Sequence, residues 1–287
     1  MKKAGALAAL VLCTVLLCGC FNFNKLEGAD IYTTVYPITY LTERLYGENA
    51  NIYSIYPDGA DINEYVLTEK QIKTYSKSDI FIYNGLTDEK QISKEFINNN
   101  KNLKIIDVAN GINHTNNIEE LWLSPNNYLM LASNIKTNLS TLVNNKYTEE
   151  TITKNYIILE EELSLMDASL RNLGKLAQEK NKEILIVSNN KFRYLENYGF
   201  VILSIEDAIA TGTFDTMKNN FKSNKYTILF AFEKDLENEY ISELNQNEKV
   251  VLVNAMYTLT AENKQNNDNY LTIMNQFHEN IKNYVLN

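Results

Sequence analysis

Side chains able to do covalent or metal chemistry are few in this chain. Its 287 residues include two histidines, His114 and His278, and three cysteines, Cys13, Cys18 and Cys20, all near the N-terminus. A nucleophilic triad needs an imidazole beside an activated oxygen or sulfur. The fingerprints G-x-S-x-G, P-loop, H-E-x-x-H and G-x-G-x-x-G are all missing. An enzyme is therefore not expected. What remains is ligand holding by oxygen and amide groups. The stretch IYPDGADINEYVLTEKQI, residues 55–72, combines the turn formers Pro57, Asp58 and Gly59 with Thr68 and Gln71 in capping-box spacing. It reads as a strand end, a tight turn and the start of a helix. Asn63 falls where such a turn presents a side chain to a cleft.

The cysteines carry a different chemistry. Lys2 and Lys3 precede an apolar run, Ala4 to Leu17, which ends in Leu17-Cys18-Gly19-Cys20. The run is about the length of a signal peptide's apolar segment and short for a membrane span. Leu-x-Gly-Cys at its end resembles a bacterial lipobox, whose cysteine is acylated and becomes the new N-terminus. Cleavage after Gly19 with acylation of Cys20 is expected. The mature chain would then hold no disulfide and no free thiol.

Composition sets further bounds. The net charge of −9 and the absence of a basic patch speak against nucleic acid as a partner. Forty-one of the residues are asparagine, so an amide at any one position is weak evidence of design.

The elements that must position Asn63 alternate between strand and helix. Ala29–Tyr36, Asn51–Pro57, Ser78–Gly85 and Leu103–Ala109 are predicted strands, with helices near 38–46, 68–77 and 88–98 between them. Pro125 opens a further helix to about Asn144. Apolar residues then recur at steps of four and three: Ile152, Tyr156, Leu159, Leu163, Met166, Leu170, Leu173 and Ala177. One long helix is predicted there, with Thr148 as its N-cap. Past it, strands are predicted at 183–188, 200–205, 226–233 and 249–255, with helices near 190–197, 213–222, 236–246 and 268–285. The expected fold is α/β: two four-stranded parallel-sheet lobes joined by one long rigid helix, with a cleft between them. The expected organisation is a signal peptide (1–19), a lipidated tether (20–28), an N-terminal lobe (29–147), a linking helix (148–181) and a C-terminal lobe (182–287).

Several segments resemble one family, the metal-type solute-binding proteins of ABC importers, which are zinc- and manganese-binding lipoproteins and periplasmic proteins. IYTTVYPITYLTERLYGENANI is similar to the family's opening strand, Tyr-Pro turn and first helix. YPDGADINEYVLTEKQIKTYSKSDIFIYNG is similar to its proline-glycine turn, capped helix and following strand. LWLSPNNYLMLASNI resembles its Trp-Leu-Asp-Pro motif, FRYLENYGFVIL its Phe-x-Tyr segment, and NDNYLTIMNQFHENI its closing helix. The resemblance covers nearly the whole mature chain. It implies a monomeric extracytoplasmic lipoprotein that captures a small solute or metal ion between two lobes and delivers it to a membrane permease. A non-transport surface lipoprotein, such as an adhesin or accessory subunit, is the alternative on the same scaffold.

The family holds its ion with histidines and carboxylates. Carried over residue by residue, those positions fall on Asn63, Glu120, Asn189 and Asn254. Glu120 alone keeps a charged donor. One carboxylate with three neutral amides makes a poor zinc or manganese site and at most a weak one for a hard cation. Either the pocket has lost its ion or other residues serve, and His114, in the polar loop NGINHTNN, is the nearest candidate. His278 reads as a surface or boundary residue, and Asp58, Asp61, Glu64 and Glu119 read as solvated turn residues.

Overall fold

The computed structural model describes residues 26–112, 117–245 and 250–287. Cys20 and His114 lie outside the described residues.

The first sheet holds β1 (Ala29–Thr33), β2 (Ala50–Ser54), β3 (Ile80–Tyr83) and β4 (Lys104–Asp107) in the order β2-β1-β3-β4. The second holds β5 (Ile184–Val187), β6 (Val201–Ser204), β7 (Leu229–Phe232) and β8 (Val250–Val253) in the order β6-β5-β7-β8. Every pairing is parallel. Parallel strands covered on both faces are continuous apolar runs. IFIY in β3 and LFAF in β7 are buried at every position, whereas the edge strand β2 alternates between half-buried and exposed. In each sheet the order reverses between the two central strands, so the switch points lie at β1/β3 and β5/β7, where open sheets of this type bind ligands.

The first lobe also carries α1 (Tyr36–Tyr46), α2 (Glu69–Tyr75), α3 (Glu89–Asn99), the short α4 (Glu120–Leu123) and α5 (Pro125–Leu142). The linking helix is α6 (Lys146–Glu179), about 51 Å long at 1.5 Å per residue. The second lobe adds α7 (Ile205–Ala210), α8 (Phe214–Lys222), α9 (Glu239–Asn245), α10 (Ala261–Gln265) and α11 (Tyr270–Leu286), with a 3₁₀ stretch at Asn190–Tyr198.

Helix α6 buries Ile152, Leu159, Leu163, Met166, Leu170, Leu173 and Ala177, the stripe expected from sequence. Its cap differs from expectation. Asn145, not Thr148, accepts the backbone N–H of Tyr147 at 2.8 Å, and Thr148 is buried inside the first turn. Both residue types cap well, and the earlier one captures the free amides.

One core runs through both lobes and α6, and a smaller cluster sits in the second lobe beneath α7, α8 and α9. Aromatic residues stitch the lobes together. Tyr270 of α11 stacks on Tyr128 of α5 at 3.7 Å between ring centres and donates to the Trp122 carbonyl at 2.6 Å. The Trp122 indole N–H donates in turn to the Ala255 carbonyl at 3.0 Å. His278 is buried on α11, correcting the surface reading. It stands four residues past Met274 and three before Ile281, on the stripe that the helix buries.

Candidate functional site

The loops after the strand carboxyl ends of the two sheets meet each other. In the first lobe, Gly59 takes a left-handed φ of +70° to close the turn after β2. Its N–H donates to the Leu259 carbonyl of the second lobe at 3.0 Å. The capping box forms as expected: Thr68 Oγ1 accepts the Gln71 N–H at 3.3 Å, and Gln71 Oε1 accepts the Thr68 N–H at 2.9 Å. This fixes the segment that carries Asn63. Asn63 itself is exposed and folded back on its own turn, donating from its backbone and side-chain nitrogens to Asp61 Oδ1 at 2.9 and 3.2 Å.

Asn189 directly follows Ser188 at the end of β5. Its amide oxygen caps the 3₁₀ stretch by accepting the Lys191 N–H at 2.9 Å, and its nitrogen donates to Asp235 Oδ2 at 2.8 Å. Asn254, just after β8, accepts the Met256 N–H at 2.7 Å and donates to Asn263 Oδ1 at 3.0 Å. Glu120 begins α4 and is buried, with Asn127 Nδ2 at 3.5 Å from one carboxylate oxygen. Each of the four positions thus follows a strand's carboxyl end, but each is engaged with its own neighbours. Among the described residues no three His, Cys, Asp or Glu side chains gather into a metal-holding group. Two of the amide oxygens already cap backbone N–H groups, so the described donors do not fit a tight zinc or manganese site.

The interlobe contacts are made instead by residues that sequence reasoning missed. Lys191 sits two positions past Asn189, and its ammonium lies 2.7 Å from Glu119 Oε1 and 2.8 Å from the Tyr257 hydroxyl oxygen. The Tyr257 hydroxyl donates to the same Glu119 oxygen. The Tyr257 ring stands edge-on to Trp122 at 5.8 Å, with the ammonium 5.4 Å from the ring centre. Burial, and then the Glu119 carboxylate, push the Tyr257 phenol well above its ordinary pKa, so it stays a proton donor. Glu119 is not a solvated turn residue. It is 5% exposed, because α4 is buried along its whole length and draws the preceding residue in with it.

Two more pairs cross the cleft, Lys234 to Asp61 and Lys264 to Asp58, the latter at 2.5 Å. All three lysines come from the second lobe and all three acids from the first. Asp61 and Asp58, read as merely solvated, are paired. Hydrogen bonds from Lys234 and from the Asn63 backbone hold the Asp61 carboxyl below the usual carboxylate range.

Comparison with known proteins follows the same outline. Residues 31–284 match the family model described as ZnuA, zinc-uptake complex component A periplasmic. The zinc-binding lipoprotein AdcA of Streptococcus pneumoniae is 25% identical over 303 residues, covering 96% of this chain and 59% of that protein. The chain therefore spans about three-fifths of AdcA's length. The manganese ABC transporter substrate-binding lipoprotein PsaA of Streptococcus mitis is 22% identical over 302 residues, covering 96% of both chains. The Zn(II)-bound ZnuA-like domain of S. pneumoniae AdcA superimposes with a TM-score of 0.71 at 21% identity, over 90% of this chain and 98% of that one, a likeness of fold.

Proposed function

This chain belongs to the ZnuA family, zinc-uptake complex component A periplasmic, and we propose that it serves an ABC importer as an extracytoplasmic solute-binding lipoprotein whose metal site has been altered. The observation that carries the reading is the facing of the two sheets. The loops after β2 and β4 bond to the loops after β5, β7 and β8, so both sets of strand ends border one cleft. The family's ligand positions are Asn63, Glu120, Asn189 and Asn254, with Glu120 the remaining charged donor. Zinc or manganese is held at most weakly there. The protein is anchored by acylated Cys20 on the outer face of a bacterial membrane and docks on an importer permease. No described helix is long and apolar enough to cross a membrane.

Two measurements on the full chain in detergent test this. Capture from solubilised membranes should recover an ABC permease, and recovery of none would overturn the transport reading. Calorimetry with zinc and with manganese should show no tight stoichiometric binding, and tight binding would overturn the altered site.

A further inference from the structure

The family's cation-holding cleft here contains cations that belong to the chain. We propose that the Glu119 carboxylate and the Tyr257 hydroxyl form a primary-ammonium site filled from within by Lys191, so that a tethered cation joins the lobes in place of a bound one. Lys191 would neutralise the cleft in this way whether or not the protein delivers a solute.

Three observations carry it. The first is geometry. The Lys191 ammonium touches a carboxylate oxygen and a phenol oxygen at 2.7 and 2.8 Å, and the phenol donates onto the same carboxylate. The ammonium, the carboxylate and the phenol, from three separate segments, thus close a three-membered ring of contacts in which two oxygens face the one nitrogen. An ammonium offers three donors and no acceptor, which suits this pair of oxygens.

The second is burial. The Glu119 side chain is 6% exposed and that of Lys191 32%, whereas the other two crossing pairs expose 53% and 29%, and 54% and 56%. Exposed pairs contribute little, while removing one partner of a buried charge leaves the other uncompensated. Lys191–Glu119 is therefore the pair that matters, and Lys234 and Lys264 repeat its polarity at the rim.

The third is the neighbouring chemistry. Asn189 and Asn254 point their oxygens at backbone amides. Glu119 and Glu120 are both drawn inward, and Glu119, one residue from the family's ligand position, is the one that Lys191 neutralises.

Chemical rescue tests the proposal on the full chain in detergent. Lys191→Ala should lower the melting temperature by roughly 3–8 °C. Ethylammonium chloride at tens of millimolar should restore at least half of that loss, because the vacated pocket accepts a free primary ammonium. Tetramethylammonium chloride at equal ionic strength, which cannot donate hydrogen bonds, should not. The wild-type protein, with the pocket filled, should respond to neither. A Lys191→Ala protein as stable as wild type, or one rescued equally by both salts, would overturn the proposal.

A double-variant cycle guards against a variant that folds poorly. Lys191→Met with Glu119→Gln should lose less than the sum of the two single losses, by about 3 °C or more. Additive losses would mean that the two groups do not neutralise each other, and the ammonium site would be withdrawn.

Discussion

The carbonyl oxygen of Tyr198 lies 1.8 Å from where a β-carbon of Gly174 would stand. Gly174 is buried on α6, and Tyr198 ends the 3₁₀ stretch that begins beside Asn189. A side chain at 174 must therefore push the linking helix away from the segment that carries Lys191. Gly174→Ala should cost about 2–3 kcal/mol through overpacking, which is a fall of roughly 5–10 °C in melting temperature for a domain of this size. A melting curve unchanged from wild type would show that the helix and the 3₁₀ stretch do not pack so closely.

Anchoring can be tested in cells. Cys20→Ala should move the protein from the membrane fraction to the soluble fraction or leave an unprocessed precursor. Labelled fatty acid should no longer enter it. Continued labelling of the Cys20→Ala protein would rule out acylation at that residue.

Rebuilding the family's donors should succeed only in part. Asn63→His, Glu120→His, Asn189→His and Asn254→Asp together restore strong ligands. However, Asn189→His also removes the oxygen that caps the 3₁₀ stretch, at a cost of about 1 kcal/mol. The nearby Lys191 ammonium repels an incoming dication. Adding Lys191→Ala to the quadruple variant should therefore tighten zinc binding by about tenfold, or about 1.4 kcal/mol. Calorimetry of both variants decides this. Equal affinity in the two would mean that the lysine lies too far from the ligand positions to matter.

Two buried groups set opposing pH dependences. Glu89 accepts the Asn84 N–H at 2.9 Å, yet burial outweighs its hydrogen bonds and raises its pKa to about 7. A raised acid stabilises the fold at low pH, and that stability is lost as pH climbs from about 4.5 to about 7. His278, whose Nε2 has no hydrogen-bond partner among the described residues, is pushed down by burial to about 4. It behaves oppositely: its neutral form is favoured in the fold, so stability is lost as pH falls from 6.5 towards about 4. Each effect amounts to about 3 kcal/mol at full extent, and the two nearly cancel between pH 4.5 and 6.5. Glu89→Gln should unmask a melting temperature that rises with pH across this window, and His278→Leu one that falls. Flat profiles in both variants would show that neither group is shifted.

The fold was legible because its signals are local. IFIY and LFAF are apolar at every position, as strands buried on both faces must be, and the stripe from Ile152 to Ala177 repeats often enough to define one helix. The α6 cap was misplaced because Asn145 and Thr148 are both good caps, and only the three-dimensional path shows which one meets the free amides. The site was less legible, and the reason is sequence separation. Lys191 and Tyr257 are 66 residues apart, and Tyr257 and Glu119 are 138 apart. No periodicity links them, and a lysine before a Phe-x-Tyr segment looks like any solvated lysine. Glu119 looked solvated for the same reason, since only the burial of α4 as a whole takes it out of water.

The division of the apolar interior into a shared core and a separate cluster has a consequence for amide-proton exchange. Ile186, Leu229 and Ala231 on one face of the second sheet pack with Ile205, Phe214, Phe221, Ile241 and Leu244, and this cluster does not join the core that threads both lobes. The layer made of α7, α8 and α9 is therefore expected to open before α6 or the first sheet does. Its amides would exchange through a partial opening at a free energy below that of global unfolding. Those of β3, α5 and α6 would exchange only when the whole molecule comes apart. Two lobes by shape would then divide differently by cooperativity: a body that spans the cleft, and a rind on one side of the C-terminal lobe.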